Sequence, residues 1–145
     1  IRALGVPAHQ VLTGGACHLD ARQVDAALAE AELLPAQILF IENVGNLICP
    51  TTYDLGEDFK VAVLSTTEGD DKPFKYPAIF ARAELTVVSK IDLLPHLPFD
   101  IEAVEEQLRS LNPKGTILRT SAVTGEGIAE WCEYLLDRLR AKRAT

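Results

Sequence analysis

The stretch Leu85-Thr86-Val87-Val88-Ser89-Lys90-Ile91-Asp92 joins a short apolar run to a polar tip, and its reading decides the fold. Leu85 to Val88 lack the in-out alternation of a half-buried strand, which suits a strand covered on both faces. The tip suits recognition of a guanine base. A carboxylate at Asp92 can accept from both N1–H and the exocyclic amine of guanine, an edge that adenine lacks, while the stem of Lys90 can cover the face of the ring. Downstream, Thr120-Ser121-Ala122 follows a second apolar run, and the Ala122 N–H can donate to the guanine O6. A Lys-x-Asp after a strand is weak evidence alone, since Asp is common at helix starts and Lys is usually solvated. The Ser-Ala pair at the end of the next strand favours the guanine reading.

Outward from that stretch the same pattern repeats. Ile38-Leu39-Phe40-Ile41, Val61-Ala62-Val63-Leu64 and Thr116-Ile117-Leu118 are further apolar runs without alternation, so each is expected to be a strand buried on both faces. Helices are expected between and after them. Asp20 and Gln23 form a capping box for one that ends before Pro35. Asp100 caps another with the stripe Ile101, Val104, Leu108 and Leu111, stopped by Asn112-Pro113-Lys114-Gly115. The last is expected from about Glu126 to Lys142, with Ile128, Trp131, Leu135 and Leu139 on one face and Arg138, Arg140, Lys142 and Arg143 late, as the helix dipole prefers. The expectation is an α/β domain with a largely parallel sheet flanked by helices.

In such sheets ligands gather outside the carboxyl ends of the strands. That places Glu42-Asn43-Val44-Gly45, Ser65-Thr66-Thr67-Glu68-Gly69, Ser89 to Asp92 and Thr120-Ser121-Ala122 at one edge. Glu42 closing an apolar run is apt for holding or orienting water around Mg²⁺, and Gly45 would let a backbone N–H approach a γ-phosphate. The plain alternative is a solvent-facing Glu and a turn glycine. A second constellation suits a metal. Cys17 and His18 cannot point the same way from a regular strand, but on a loop after Gly14-Gly15 they can turn toward one ion, with Cys49 as a third ligand. Spacing alone leaves this open against incidental Cys and His, and Cys132, beside Trp131 in the last helix, reads as a small buried hydrophobe.

Composition narrows the classes. A chain of 145 residues with 48% hydrophobic content can bury a core without staples. Its formal charge of -7 gives a nucleic-acid partner little support. No apolar run nears the roughly 20 residues that span a bilayer, and no leader pattern opens the chain. Three cysteines, an odd count in a domain this size, favour a reducing compartment, with the cytoplasm as default.

Three segments resemble one family: Thr13-Gly14-Gly15-Ala16-Cys17-His18-Leu19-Asp20-Ala21, Phe40-Ile41-Glu42-Asn43-Val44-Gly45-Asn46-Leu47-Ile48-Cys49-Pro50 and Thr67-Glu68-Gly69-Asp70-Asp71-Lys72-Pro73-Phe74-Lys75-Tyr76-Pro77. They look like HypB, the hydrogenase nickel-incorporation GTPases. The resemblance implies a P-loop NTPase-like fold over residues 1–145, a single partial GTPase domain with a metal-binding loop, that hydrolyses GTP to GDP and phosphate with Mg²⁺. It also implies nickel delivery to the large subunit of nickel-iron hydrogenase together with a nickel accessory protein. Cys17, His18 and Cys49 would bind Ni²⁺ or Zn²⁺ at a GTP- and metal-dependent homodimer interface. Glu42 and Gly45 would serve hydrolysis, and Ser89, Lys90, Asp92, Ser121, Ala122 and Lys75 would bind the nucleotide. Three departures qualify this. The phosphate loop Gly-x-x-x-x-Gly-Lys-[Ser/Thr] and the strand before it are not in the chain, so a carboxyl-terminal part is expected, inactive alone in hydrolysis. Ser89 stands where the guanine motif usually has Asn. Arg22 and Ala26 occupy positions where some relatives carry histidines, so one metal per interface is expected. The alternatives are a non-enzymatic metal-binding dimerisation module, or a related GTPase serving another metalloenzyme such as urease.

Overall fold

The computed structural model describes residues 1–31 and 36–144, which form two compact units, 1–58 and 59–144. The second carries the sheet. Strands β1 (Val61–Ser65), β2 (Leu85–Ser89) and β3 (Thr116–Thr120) are parallel in the order β1-β2-β3. The register aligns Ser65 with Ser89 and Ser89 with Thr120. All three carboxyl ends therefore finish level, and the loops that follow them share one edge.

Parallel strands need crossovers, and here these are helical. Between β1 and β2 run α2 (Lys72–Lys75) and α3 (Pro77–Arg82), with Pro77 at the first position of α3, where its missing N–H costs nothing. Between β2 and β3 runs α4 (Ile101–Leu111), started as expected by the Asp100 carboxylate accepting from Ala103 N–H. Its stop is tied down by Asn112 Nδ2, which donates to Ala83 O at 2.9 Å. One face of the sheet, Ala62, Leu64 and Val88, packs against Phe80, Ala83, Val104 and Leu108 from this side. At about 1.5–3 kcal/mol for each fully buried large side chain, this cluster is the main source of the unit's stability.

The opposite face is less covered than the apolar runs suggest. Val63 is 59% exposed, because neighbouring residues of a strand point to opposite faces and only Ala62 and Leu64 meet the α3–α4 layer. Helix α5 (Ile128–Arg143) packs against β3, and its Tyr134 meets Phe59 edge-on at 5.7 Å between ring centroids. It starts two residues later than the expected Glu126. Gly127 caps it with φ 73°, and a Cβ there would stand 1.8 Å from Arg119 O, so the chain must pass β3 as glycine before the helix can begin. The stripe Ile128, Trp131, Leu135 and Leu139 is only partly covered, and no residue of α5 is fully buried. Cys132 is exposed, not buried as expected, because one residue past Trp131 the helix has turned about 100° away from the stripe.

In the first unit, α1 (Ala21–Glu30) begins with the expected capping box. Asp20 Oδ1 accepts from Gln23 N–H and Gln23 Oε1 accepts from Asp20 N–H, both at 2.9 Å. It ends at Glu30, before Pro35 as expected, with Ala31 as its cap; Pro35 itself lies outside the described residues. Residues 38–41 are not the expected strand; they form no ladder, and Phe40 is 66% exposed. An apolar run shows that a segment can be buried, whereas a strand also needs a neighbour to satisfy its N–H and C=O groups. Among the described residues, no helix is long and apolar enough to cross a membrane.

Candidate functional site

At the carboxyl edge of the sheet, the two halves of the expected base site meet. Ser121 is fully buried, and its Oγ lies 2.5 Å from Asp92 Oδ1. The same oxygen accepts from the N–H groups of Val123 at 3.2 Å and Thr124 at 3.1 Å. With its lone pairs so occupied, the Ser121 hydroxyl must give its proton to Asp92. One carboxylate oxygen is thereby fixed, and the other has no hydrogen-bond partner among the described residues. Ala122 is exposed, and its N–H has no hydrogen-bond partner among the described residues.

Lys90 is the one non-glycine residue with positive φ among those described, at φ 61° and ψ 38°. Such a conformation costs about 1–2 kcal/mol and persists only where its surroundings impose it. Here the imposing contact is the buried Thr66, whose hydroxyl donates to Lys90 O at 2.9 Å. The Lys90 ammonium reaches Thr67 Oγ1 at 3.4 Å, itself 2.8 Å from Ser65 Oγ. The Ser89 hydroxyl points back to Leu64 O at 3.5 Å. Ser89 therefore belongs to the strand ends, while Asp92 and Ser121 are brought together by their hydrogen bond, with Lys90 and Ala122 beside them in the chain. Lys75 stands apart from them in hydrogen bonding, paired with Asp71 at 2.5 Å; each raises the other's tendency to stay charged, holding the Asp71 carboxyl below its usual range and the Lys75 ammonium above its own.

The first unit brings together Cys17, His18 and Cys49, whose ligand atoms all lie within 4.8 Å of one another. The loop is shaped by a tight turn in which Gly14 and Gly15 both have positive φ, and Ala16 N–H closes onto Thr13 O at 3.1 Å. Cys17 Sγ and His18 Nδ1 stand 3.5 Å apart. Two ligands on one tetrahedral ion, at about 2.3 Å for sulfur and 2.0–2.1 Å for nitrogen, would be about 3.6 Å apart. The donor set thus fits a borderline-soft divalent ion, and closing it needs shifts of about 1 Å. The His18 ring stacks on Tyr53, with centroids 3.8 Å apart and planes 17° from parallel. A thiol hydrogen bond from Cys17, followed by desolvation, pushes the Cys49 thiol above its usual value. That is the behaviour of two thiols close enough to share a proton.

Glu42 is exposed, and Gly45 faces open space, with no atom within 4 Å of a Cβ built on it and no positive φ. Neither packing nor conformation requires glycine there; a closely approaching ligand would. Sequence reasoning passed over the side chains of Asn43 and Asn46, which join this loop to the Cys17-His18 loop. No local signal marked them, because their partners lie 24 and 29 residues away. Tyr53 was also missed, and Thr66, though within the named tip Ser65 to Gly69, acts through a bond to Lys90 O that no local pattern marks.

The chain matches the family model described as CobW/HypB/UreG, nucleotide-binding domain, over residues 1–119. It is 54% identical over 143 residues to the hydrogenase maturation factor HypB of Azotobacter vinelandii, covering 99% of this chain and 47% of that protein. It thus spans about half the length of the curated relatives it matches. Among solved structures, the hydrogenase maturation factor HypB of Archaeoglobus fulgidus superposes with a TM-score of 0.90 at 39% identity, over 95% of this chain and 67% of the other. HypB of Helicobacter pylori, solved in complex with nickel, gives 0.91 at 37% identity, over 97% and 67%.

Proposed function

This chain belongs to the CobW/HypB/UreG nucleotide-binding family, on its HypB side, and from that premise we propose that it is the base-reading and metal-carrying part of a GTPase that delivers nickel during maturation of nickel-iron hydrogenase. The observation that carries this reading is the Cys17–His18–Cys49 cluster, whose third ligand lies on the loop that begins with Glu42 and Gly45.

In this reading Asp92 accepts from guanine N1–H and the exocyclic amine, Ala122 N–H donates to O6, and the Lys90 stem covers the ring, with Ser121 and Ser89 fixing the tip. Lys75, held at the surface by Asp71, is the further cation available to the nucleotide. Mg²⁺ would neutralise charge on the phosphates, and Glu42 is the residue of this chain suited to hold it or its waters. Gly45 leaves room for its N–H to meet a γ-phosphate, so the nucleotide state bears on the loop that carries Cys49 four residues on. The nickel ion, or a zinc ion in its place, is cargo held by two thiolates and an imidazole, with a fourth position left for water or a second copy of the chain. The homodimer, the hydrogenase large subunit and a nickel accessory protein are the partners of this scheme, and the cytoplasm is where it operates.

Titration of the reduced protein with Ni²⁺ tests the metal part. Cys17→Ala and Cys49→Ala each remove a ligand and are expected to weaken binding roughly 100-fold or more, beyond the usual effect of losing a supporting residue. Cys132→Ser, on the exposed side of α5, is the control and is expected to bind as the parent does. Equal affinity for the parent and Cys49→Ala would refute the site.

A further inference from the structure

The ligand cluster depends on two loops far apart in the chain, and two amides join them. Asn46 Nδ2 donates to Cys17 O at 2.5 Å, while Asn46 Oδ1 accepts from Ile48 N–H at 3.1 Å and Cys49 N–H at 2.8 Å. Asn43 Oδ1 accepts from Leu19 N–H and Val44 N–H, each at 2.8 Å. The orientation of the Asn46 amide follows from its partners, since the flipped form would set its NH₂ against two N–H donors and its oxygen against a carbonyl. The Cys17-His18 dipeptide is therefore held on both sides, through its own carbonyl by Asn46 and through the next N–H by Asn43. Asn46 fixes the backbone of the third ligand with the same side chain.

We propose that Asn43 and Asn46 are positioning residues that clip the two ligand-bearing loops together before the metal arrives; this rests on the metal reading above. Neither amide oxygen is a ligand here, because both accept from backbone N–H groups, and an amide nitrogen has no lone pair to offer a metal. Their effect is on population. If the loops are free, only a fraction of molecules present all three ligand atoms at once, and the apparent affinity falls by that fraction. The clip removes that loss. It also puts Gly45 between the two amides, so displacement of the loop at Gly45 reaches Cys17 and Cys49 through one residue.

The test is Ni²⁺ titration of the intact, reduced protein with Asn46→Ala and Asn43→Ala, read by affinity and by the thiolate-to-nickel charge-transfer absorption of the loaded protein. Asn46→Ala is expected to bind roughly 10- to 100-fold more weakly, as loss of a supporting hydrogen bond around a metal ligand typically does. Its charge-transfer band should change in position or intensity, which a general loss of stability does not produce in molecules that remain folded. Asn46→Ser guards against a misfolded alanine variant: its hydroxyl can still accept from the turn N–H groups but cannot reach Cys17 O, so it should fold and still bind weakly. Parent-like affinity and absorption in both Asn46 variants would overturn the clip. Parent-like affinity in Cys49→Ala would instead overturn the metal site itself, so the two failures are distinguishable.

Discussion

Replacing Asp92 by Asn is the substitution whose outcome the structure determines most closely. An asparagine can present either its oxygen or its amine to the base, and in solution nothing would choose between them. Here Ser121 chooses. Its oxygen already accepts from Val123 N–H and Thr124 N–H, so its hydrogen has to be donated, and the side chain at position 92 must turn its oxygen toward Ser121. The NH₂ then faces guanine N1–H and N2–H, donor against donor. Two hydrogen bonds to a charged acceptor, worth about 1.5–3 kcal/mol each, are lost, with some compensation from the shared amide oxygen. A net loss of about 3–4 kcal/mol corresponds to roughly 10²–10³ in Kd for GDP. Xanthine carries an oxygen where guanine carries the amine, so the same NH₂ becomes a partner and the preference between GDP and xanthosine diphosphate should invert. Calorimetric titration of the intact parent and Asp92→Asn proteins with both nucleotides measures this. An unchanged ratio of the two affinities would refute the base-reading role of Asp92.

Two further predictions concern what holds the proposed base-reading edge in place. The carboxylate of Glu105, buried in α4, accepts from Arg119 Nε at 2.5 Å and Arg109 Nη2 at 2.6 Å, and Arg119 in the first place holds its pKa below the usual carboxylate range. Glu105→Gln should lower stability by about 2–4 kcal/mol in thermal or urea unfolding. Because the folded pKa is depressed, the contribution is complete above the unfolded value near 4.3 and is lost as pH falls from there through the folded one; acid destabilisation in that window should be shallower in Glu105→Gln than in the parent, and equal pH profiles would contradict the assignment. Gly127→Ala sets a Cβ against Arg119 O in a left-handed backbone, so it should cost about 2–4 kcal/mol and displace the Ser121 loop, read as a lower unfolding midpoint together with weaker GDP binding. A parent-like midpoint would show that β3 and α5 are not joined as described.

The parts of this molecule that were legible in its sequence are those whose cause is local. The capping box of α1 is written in residues 20 and 23, the start of α4 in Asp100, and the three strands of the second unit in short apolar runs with polar tips. The pairing of Asp92 with Ser121 was legible for a different reason: parallel strands in register bring their following loops level, so two tips 29 residues apart in sequence had to be neighbours in space. Residues 38–41 failed the same reading. Their composition matches that of β1, but a ladder is a property of two segments, and one segment's composition cannot report it. Val63 and Cys132 failed for geometric reasons, a one-residue alternation in one case and a 100° helical step in the other.

The Cys17–His18–Cys49 cluster shows where such legibility ends and why the remainder matters. Cys17, His18 and Cys49 could be picked by residue type, since few side chains suit a borderline-soft ion. Whether they meet depends on hydrogen bonds such as Asn46 to Cys17 O and Asn43 to Leu19 N–H, spanning 29 and 24 residues, and an asparagine in a loop carries no mark that separates a clip from a turn. The same asymmetry governs function. Ligand type sets which ion can be held, whereas the clips set how much of the time the ligands are assembled, and only the second can be altered by moving a backbone. In the proposed function the ion is cargo and has to be released. A site whose ligands are permanent but whose assembly runs through one amide beside Gly45 can change its grip without changing its chemistry.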